Sequence, residues 1–116
     1  MHGTVEISAD GKFIRAQFEA DATIADWYEA FKLHASLVQE SGIRETLVDI
    51  RKQKASAPTL DLFEFASRLP KDVRFAVLAR ARDDDRFVES VARNRGATAR
   101  LFLGSEEEAV SWLLDR

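Results

Sequence analysis

Val5 and Ile7 alternate with Thr4, Glu6 and Ser8, and beyond Asp10-Gly11 the alternation resumes, with Ile14, Ala16 and Phe18 on one side. A two-residue period marks a strand with one buried face. Asp-Gly between two such runs marks a tight hairpin turn. From Thr23 the period changes. Trp27, Phe31, His34 and Val38 recur at helical spacing, with Ala30 and Leu37 alongside. Thr23 followed three residues later by Asp26 has the form of a capping box, with Asp in place of the usual Glu. Gly42 stands where a left-handed residue closes a helix. The spacing therefore predicts a helix over residues 24–41.

Thr46-Leu47-Val48-Asp49-Ile50 is short, β-branched and largely apolar, as an inner strand is. A basic loop follows over residues 51–57. Pro58 suits the first turn of a helix and Pro70 the stretch just past its end, so a second helix is expected between them. Residues 73–79 read as a further strand. Asp83 opens a third expected helix, carrying Phe87, Val88 and Val91 inward and stopping at Gly96. Residues 98–103 read as the last strand. Ser105 and Glu108 form a capping-box pair for a final helix bearing Ala109, Trp112 and Leu113. The order is β-β-α-β-α-β-α-β-α. It predicts one α/β domain over residues 1–116, with a mixed sheet of about five strands, mainly parallel after the hairpin, and about four helices.

Composition narrows the chemistry. At 116 residues the chain has room for one domain with a real core. It contains no cysteine, which excludes disulfides, thiolate nucleophiles and cysteine-bound zinc. Its two histidines, His2 and His34, leave little for a metal site, and no metal or cofactor is expected. A net charge of −3 gives no basic footprint for nucleic acid. No run approaches the roughly 18 apolar residues of a membrane span. The N-terminal residues lack the basic and apolar regions of a secretory signal, so a cytoplasmic protein is expected. Gly11, Gly42, Gly96 and Gly104 fall at expected turns or helix ends, and neither a G-x-G-x-x-G pattern nor a phosphate-binding loop occurs.

Several phrases resemble a known family. Leu47-Val48-Asp49-Ile50-Arg51 resembles the inner strand and key loop of SpoIIAA-like, STAS/SEC14-type domains. Val73-Arg74-Phe75-Ala76-Val77-Leu78 resembles the strand that follows their second helix. Asn94-Arg95-Gly96, Arg100-Leu101-Phe102 and the run from Glu106 to Leu113 resemble their closing segment. The resemblance spans almost the whole chain and implies helices packed mainly on one face of the sheet. It also implies a non-catalytic binding or regulatory module, for a protein partner or for a small apolar or amphiphilic ligand. Anti-anti-sigma regulators of this family carry an Asp-Ser pair whose serine is phosphorylated before the second helix. Here that region reads Lys54-Ala55-Ser56-Ala57-Pro58-Thr59. The pair is missing, the phospho-switch is not carried over, and Ser56 suits a helix N-cap.

The candidate site residues fall into three groups. Arg51, Lys52 and Lys54 follow one inner strand, and Arg80 and Arg82 follow the next. Ligands of open α/β sheets bind outside the C-terminal strand ends, where helix N-termini accept anions, so these five residues are candidates to rim an anion or acidic-partner site. On the expected second helix, Leu62, Phe63, Ala66 and Leu69 fit one inward face, whereas Phe65 sits at its edge and Leu60 nearly opposite. Leu60, Phe63 and Phe65 are therefore candidates for an interface, including a homodimer, or for the mouth of an apolar pocket. His34, central on an apolar helix face, is a core histidine with bonded ring nitrogens or a polar anchor in a pocket. An enzyme using His34 would need a nucleophile and an orienting carboxylate within reach. Asp83-Asp84-Asp85 and Glu106-Glu107-Glu108 read as acidic first turns favoured by the helix dipole.

Overall fold

A computed structural model describes residues 3–52, 70, 72–79, 98–103 and 105–115. The hairpin forms as its alternation predicts. Strands β1 (Gly3–Ile7) and β2 (Ile14–Phe18) pair antiparallel, Val5 opposite Ala16. Gly11 turns the chain with φ +74°, a conformation that side chains other than glycine's resist. Ser8 Oγ, donating to Asp10 Oδ1 at 2.6 Å, and the Lys12 N–H, bonded to the same carboxylate at 3.1 Å, tie the turn together. Ile14, Ala16 and Phe18 are buried, and the intervening Arg15 and Gln17 are only half covered.

Helix α1 (Ile24–Ser41) begins on the expected capping box. The Asp26 N–H donates to Thr23 Oγ1 at 3.3 Å, and the Thr23 N–H donates to Asp26 Oδ2 at 2.9 Å. It ends at Gly42 with φ +75°, whose N–H donates to the Val38 carbonyl at 2.9 Å. Thr23→Ala is expected to cost about 1 kcal/mol by leaving the Asp26 N–H at the helix start without its side-chain acceptor. Urea unfolding checks this, and Thr23→Ser should recover most of the loss.

Strands β3 (Glu45–Asp49), β4 (Arg74–Ala79) and β5 (Thr98–Leu103) complete one sheet in the order β1-β2-β3-β4-β5. Every pairing after the hairpin is parallel, with Val48 beside Ala16 and Val77, and Leu78 beside Phe102. Helix α2 (Glu106–Leu114) follows β5, with the Glu108 N–H donating to Ser105 Oγ at 3.2 Å. Among the described residues there are two helices. The helices expected between Pro58 and Pro70 and between Asp83 and Gly96 lie outside them.

The two described helices lie on opposite faces of the sheet, and the other two of the helices expected to pack mainly on one face lie outside the described residues. Trp27, Ala30 and Val38 of α1 share a core with Ile14, Ala16, Phe18, Val48, Phe75 and Val77. Ala109 and Leu113 of α2 pack on the opposite face, against Phe13, Leu47, Ala76, Leu78 and Phe102. The reason lies in the inner strands. β3 and β4 are apolar at successive positions, so both faces must be covered, as parallel strands require. Phe18, Phe75, Leu47, Leu78 and Leu113 are fully buried, each contributing about 2 kcal/mol of burial free energy.

Candidate functional site

The C-terminal edge of β3 gathers four charged side chains on the α2 face. Asp49 ends the strand and is only 2% exposed. The next residue continues the sheet, its N–H donating to the Leu78 carbonyl at 2.9 Å. The chain then turns, and Arg51 folds back on Asp49. Its backbone N–H and its Nε–H both donate to Asp49 Oδ1 at 3.1 Å, and Nη2 donates to Oδ2 at 2.9 Å. A carboxylate accepting from the backbone two residues on is the usual Asx turn. Here the same residue adds a two-pronged guanidinium contact, the strongest geometry for such a pair.

Two further groups close the network. Arg15, in β2 on the face away from Ile14 and Ala16, holds Nη2 2.6 Å from Glu106 Oε1 and Nη1 3.8 Å from Asp49 Oδ2. Arg51 Nη2 lies 3.6 Å from the same Glu106 oxygen. Glu106 is the first residue of α2, where the helix dipole favours a carboxylate. Two arginines and two carboxylates from β2, β3, the following turn and α2 thus neutralise one another. Burial would raise the Asp49 pKa, but hydrogen bonds from the Arg51 side chain and backbone, with the charges of Arg51 and Arg15, hold it below the ordinary value of 3.8. Lys52 is more exposed and reaches Glu19 only at 4.0 Å, a contact that stabilises little in water.

His34 belongs to the other end of the sheet. It is buried on α1 between the rings of Phe31 and Phe75, with centroids 5.1 and 5.6 Å away. Its Nε2 shares a 2.7 Å hydrogen bond with Thr46 Oγ1 of β3, a fully buried hydroxyl. Burial pulls its pKa from 6.5 down to about 4, so the ring is neutral at physiological pH. The core-histidine reading therefore holds for Nε2, and its partner is Thr46.

Of the five basic candidates, Arg51 and Lys52 stand at the β3 corner, and Arg51 already has internal partners. Lys54, Arg80 and Arg82 lie outside the described residues, as do Ser56, Leu60, Phe63 and Phe65. Sequence reasoning missed Arg15, Asp49, Glu106 and Thr46. The available signal was a charged residue at a strand position flanked by apolar ones, twice, with both sites on one face. Among the described residues no group of three or more acids or histidines is arranged to hold a metal ion. Among them also, no helix is long and apolar enough to cross a membrane.

Compared by sequence, the chain matches no protein-family model and no curated protein. In structure it is similar to an uncharacterized protein of the DUF3478 family, with a SpoIIAA-like fold, from Shewanella loihica PV-4. The TM-score is 0.62 at 19% identity, covering 96% of this chain and 91% of that one. The class defined by this likeness and by the mixed five-stranded sheet is the SpoIIAA-like α/β fold.

Proposed function

We propose that this chain is a non-catalytic regulatory module that engages an acidic protein partner at the β3 corner. The observation that carries the reading is the closed network of Arg15, Asp49, Arg51 and Glu106. It fixes the start of the loop that leaves the C-terminal end of an inner parallel strand, the position at which open α/β sheets bind ligands. It leaves Arg51 38% and Lys52 57% exposed in their side chains, at the head of a basic segment that continues in sequence through Lys54. A partner carboxylate meeting Arg51 exchanges with Glu106, which is itself 40% exposed, and leaves the two-pronged Asp49 contact in place. Arg80 and Arg82 follow the neighbouring strand in sequence and belong to the same proposed rim.

The non-catalytic part of the reading rests on acid–base chemistry. A general acid near neutral pH needs a carboxyl whose pKa is raised. Asp49 is shifted the other way. His34 sits among rings and a threonine hydroxyl, and its weakened basicity does not suit a base at physiological pH. A phosphoserine switch of the anti-anti-sigma kind is not part of the proposal, because the Asp-Ser pair is missing.

Titration of the ¹⁵N-labelled chain with a hexaglutamate peptide tests the reading. Saturable shifts at Arg51 and Lys52 are expected, with none from hexalysine. The charge reversals Lys52→Glu and Arg80→Glu together should abolish them. Unchanged binding in that double variant would sink the proposal. Native mass spectrometry of protein purified without added ligand supplies the contrast. A retained small molecule would move the weight to the apolar or amphiphilic ligand.

A further inference from the structure

The end of the sheet opposite Arg51 holds a cleft of about 250 Å³, lined by His34, Val38, Gln39, Arg44, Asp72 and Val73 among others. Its deep part is made by three buried side chains. His34 and Val73 are 1% exposed and Val38 8%. Its rim is an ion pair, Arg44 Nη1 to Asp72 Oδ2 at 3.0 Å, with the two side chains 45% and 67% exposed. The rim is held in place from behind. Gly42 closes α1 two residues before Arg44, and the Arg44 carbonyl accepts the Arg74 N–H at 2.7 Å as β4 begins.

The lining has a definite chemistry. Valines and the apolar face of α1 supply a wall that favours a hydrocarbon tail. His34 lines the cleft with its Nε2 bonded to Thr46, so its ring forms part of the wall beside the valines. Because the ring is neutral at physiological pH, it adds no charge to the deep part. Arg44 is the cation. Its planar fork suits a carboxylate, and its present partner Asp72 is the more exposed of the two, so Asp72 gives way to water at little cost.

The geometry points to a binding site for a small monocarboxylate with a short apolar tail, its head on Arg44 in place of Asp72, its tail along Val38 and Val73, and His34 beneath it. The volume suits an acid of fewer than about ten heavy atoms. The site is separate from the proposed partner corner and stands or falls independently of it.

Benzoate and hexanoate are the probes, titrated into the ¹⁵N-labelled full chain with the His34 ring resonances observed. Saturable shifts at His34 and Arg44 are expected, with a dissociation constant of about 1 mM for so small an acid. Two rim variants should move binding in opposite directions. Arg44→Gln removes the cation and should weaken it about tenfold. Asp72→Asn removes the internal competitor and should tighten it about threefold. Both side chains are exposed, and thermal melts check that each variant is folded. Absence of saturable His34 shifts, or an Arg44→Gln chain that binds like the parent, overturns the assignment. So does sulfate binding as tightly as hexanoate, because the apolar wall would then contribute nothing.

Discussion

Asp49→Ala is expected to destabilise the chain by about 3 kcal/mol, read from urea or guanidinium unfolding. The carboxylate is buried and accepts three hydrogen bonds from Arg51, with Arg15 close by. Removing it strands two guanidinium groups and an N–H around a cavity. The figure stays at the lower end of the range for broken buried pairs because both arginines keep access to water and Glu106 remains beside them. Asp49→Asn keeps the size and an acceptor oxygen, so it should cost about half as much. Added salt should restore little, since screening acts on exposed charges. The pH dependence has a fixed sign. A carboxyl whose folded pKa is depressed contributes fully above the ordinary value of 3.8, and its contribution is lost as pH falls through the folded value. An Asp49→Ala chain that unfolds at the parent midpoint would show that the network does not hold this corner.

The second large effect is acid sensitivity centred on His34. The folded protein holds the ring neutral down to about pH 4, whereas the unfolded chain takes up a proton near 6.5. The unfolded state therefore binds more protons across that interval, and stability falls as pH drops through it. The integrated loss is about 3 kcal/mol. His34→Gln keeps a polar group for Thr46 and removes the titration. Its unfolding free energy should stay nearly flat between about pH 7 and about pH 4, where the parent declines. The Asp49 contribution disappears only at lower pH, so the two groups occupy separate windows. Parallel pH profiles for parent and His34→Gln would rule out the buried histidine as the cause.

Much of the fold was legible because its signals are local. Thr23, Asp26 and Gly42 bound α1 by chemistry that acts within a few residues, and the helix runs over the expected positions. Alternation around Asp10-Gly11 placed the hairpin, and apolar β-branched runs placed the parallel strands to within a residue. The distribution of helices over the sheet was less legible. An apolar strand shows that both faces are covered, but not which helix covers which. Ala109 and Leu113 proved to sit across the sheet from Trp27 and Val38.

The β3 corner was half legible. Arg51 and Lys52 were visible as a basic run after a strand, but their counter-charges come from elsewhere. Asp49 looked like a polar interruption in an apolar run, Arg15 like the solvent side of a hairpin, and Glu106 like an ordinary first-turn acid. The register of β2 beside β3, Arg15 next to Leu47 and Gln17 next to Asp49, brings the first two together, and the packing of α2 adds Glu106. Thr46 was hidden in the same way, because its tie to His34 depends on which face of β3 meets α1.

The order of the strands across the sheet is also their order along the chain. During synthesis each new strand can dock on the edge left by the one before, and no strand has to be threaded between two already paired. Such an assembly grows outward from its hairpin without waiting for distant partners, which keeps unpaired edges short-lived. The exception is the clasp between Arg15 and Glu106, which joins β2, made early, to α2, made after all five strands. The β3 corner therefore acquires its final charge balance only when the C-terminal helix arrives, so a chain released before that point carries the strands but not the finished corner.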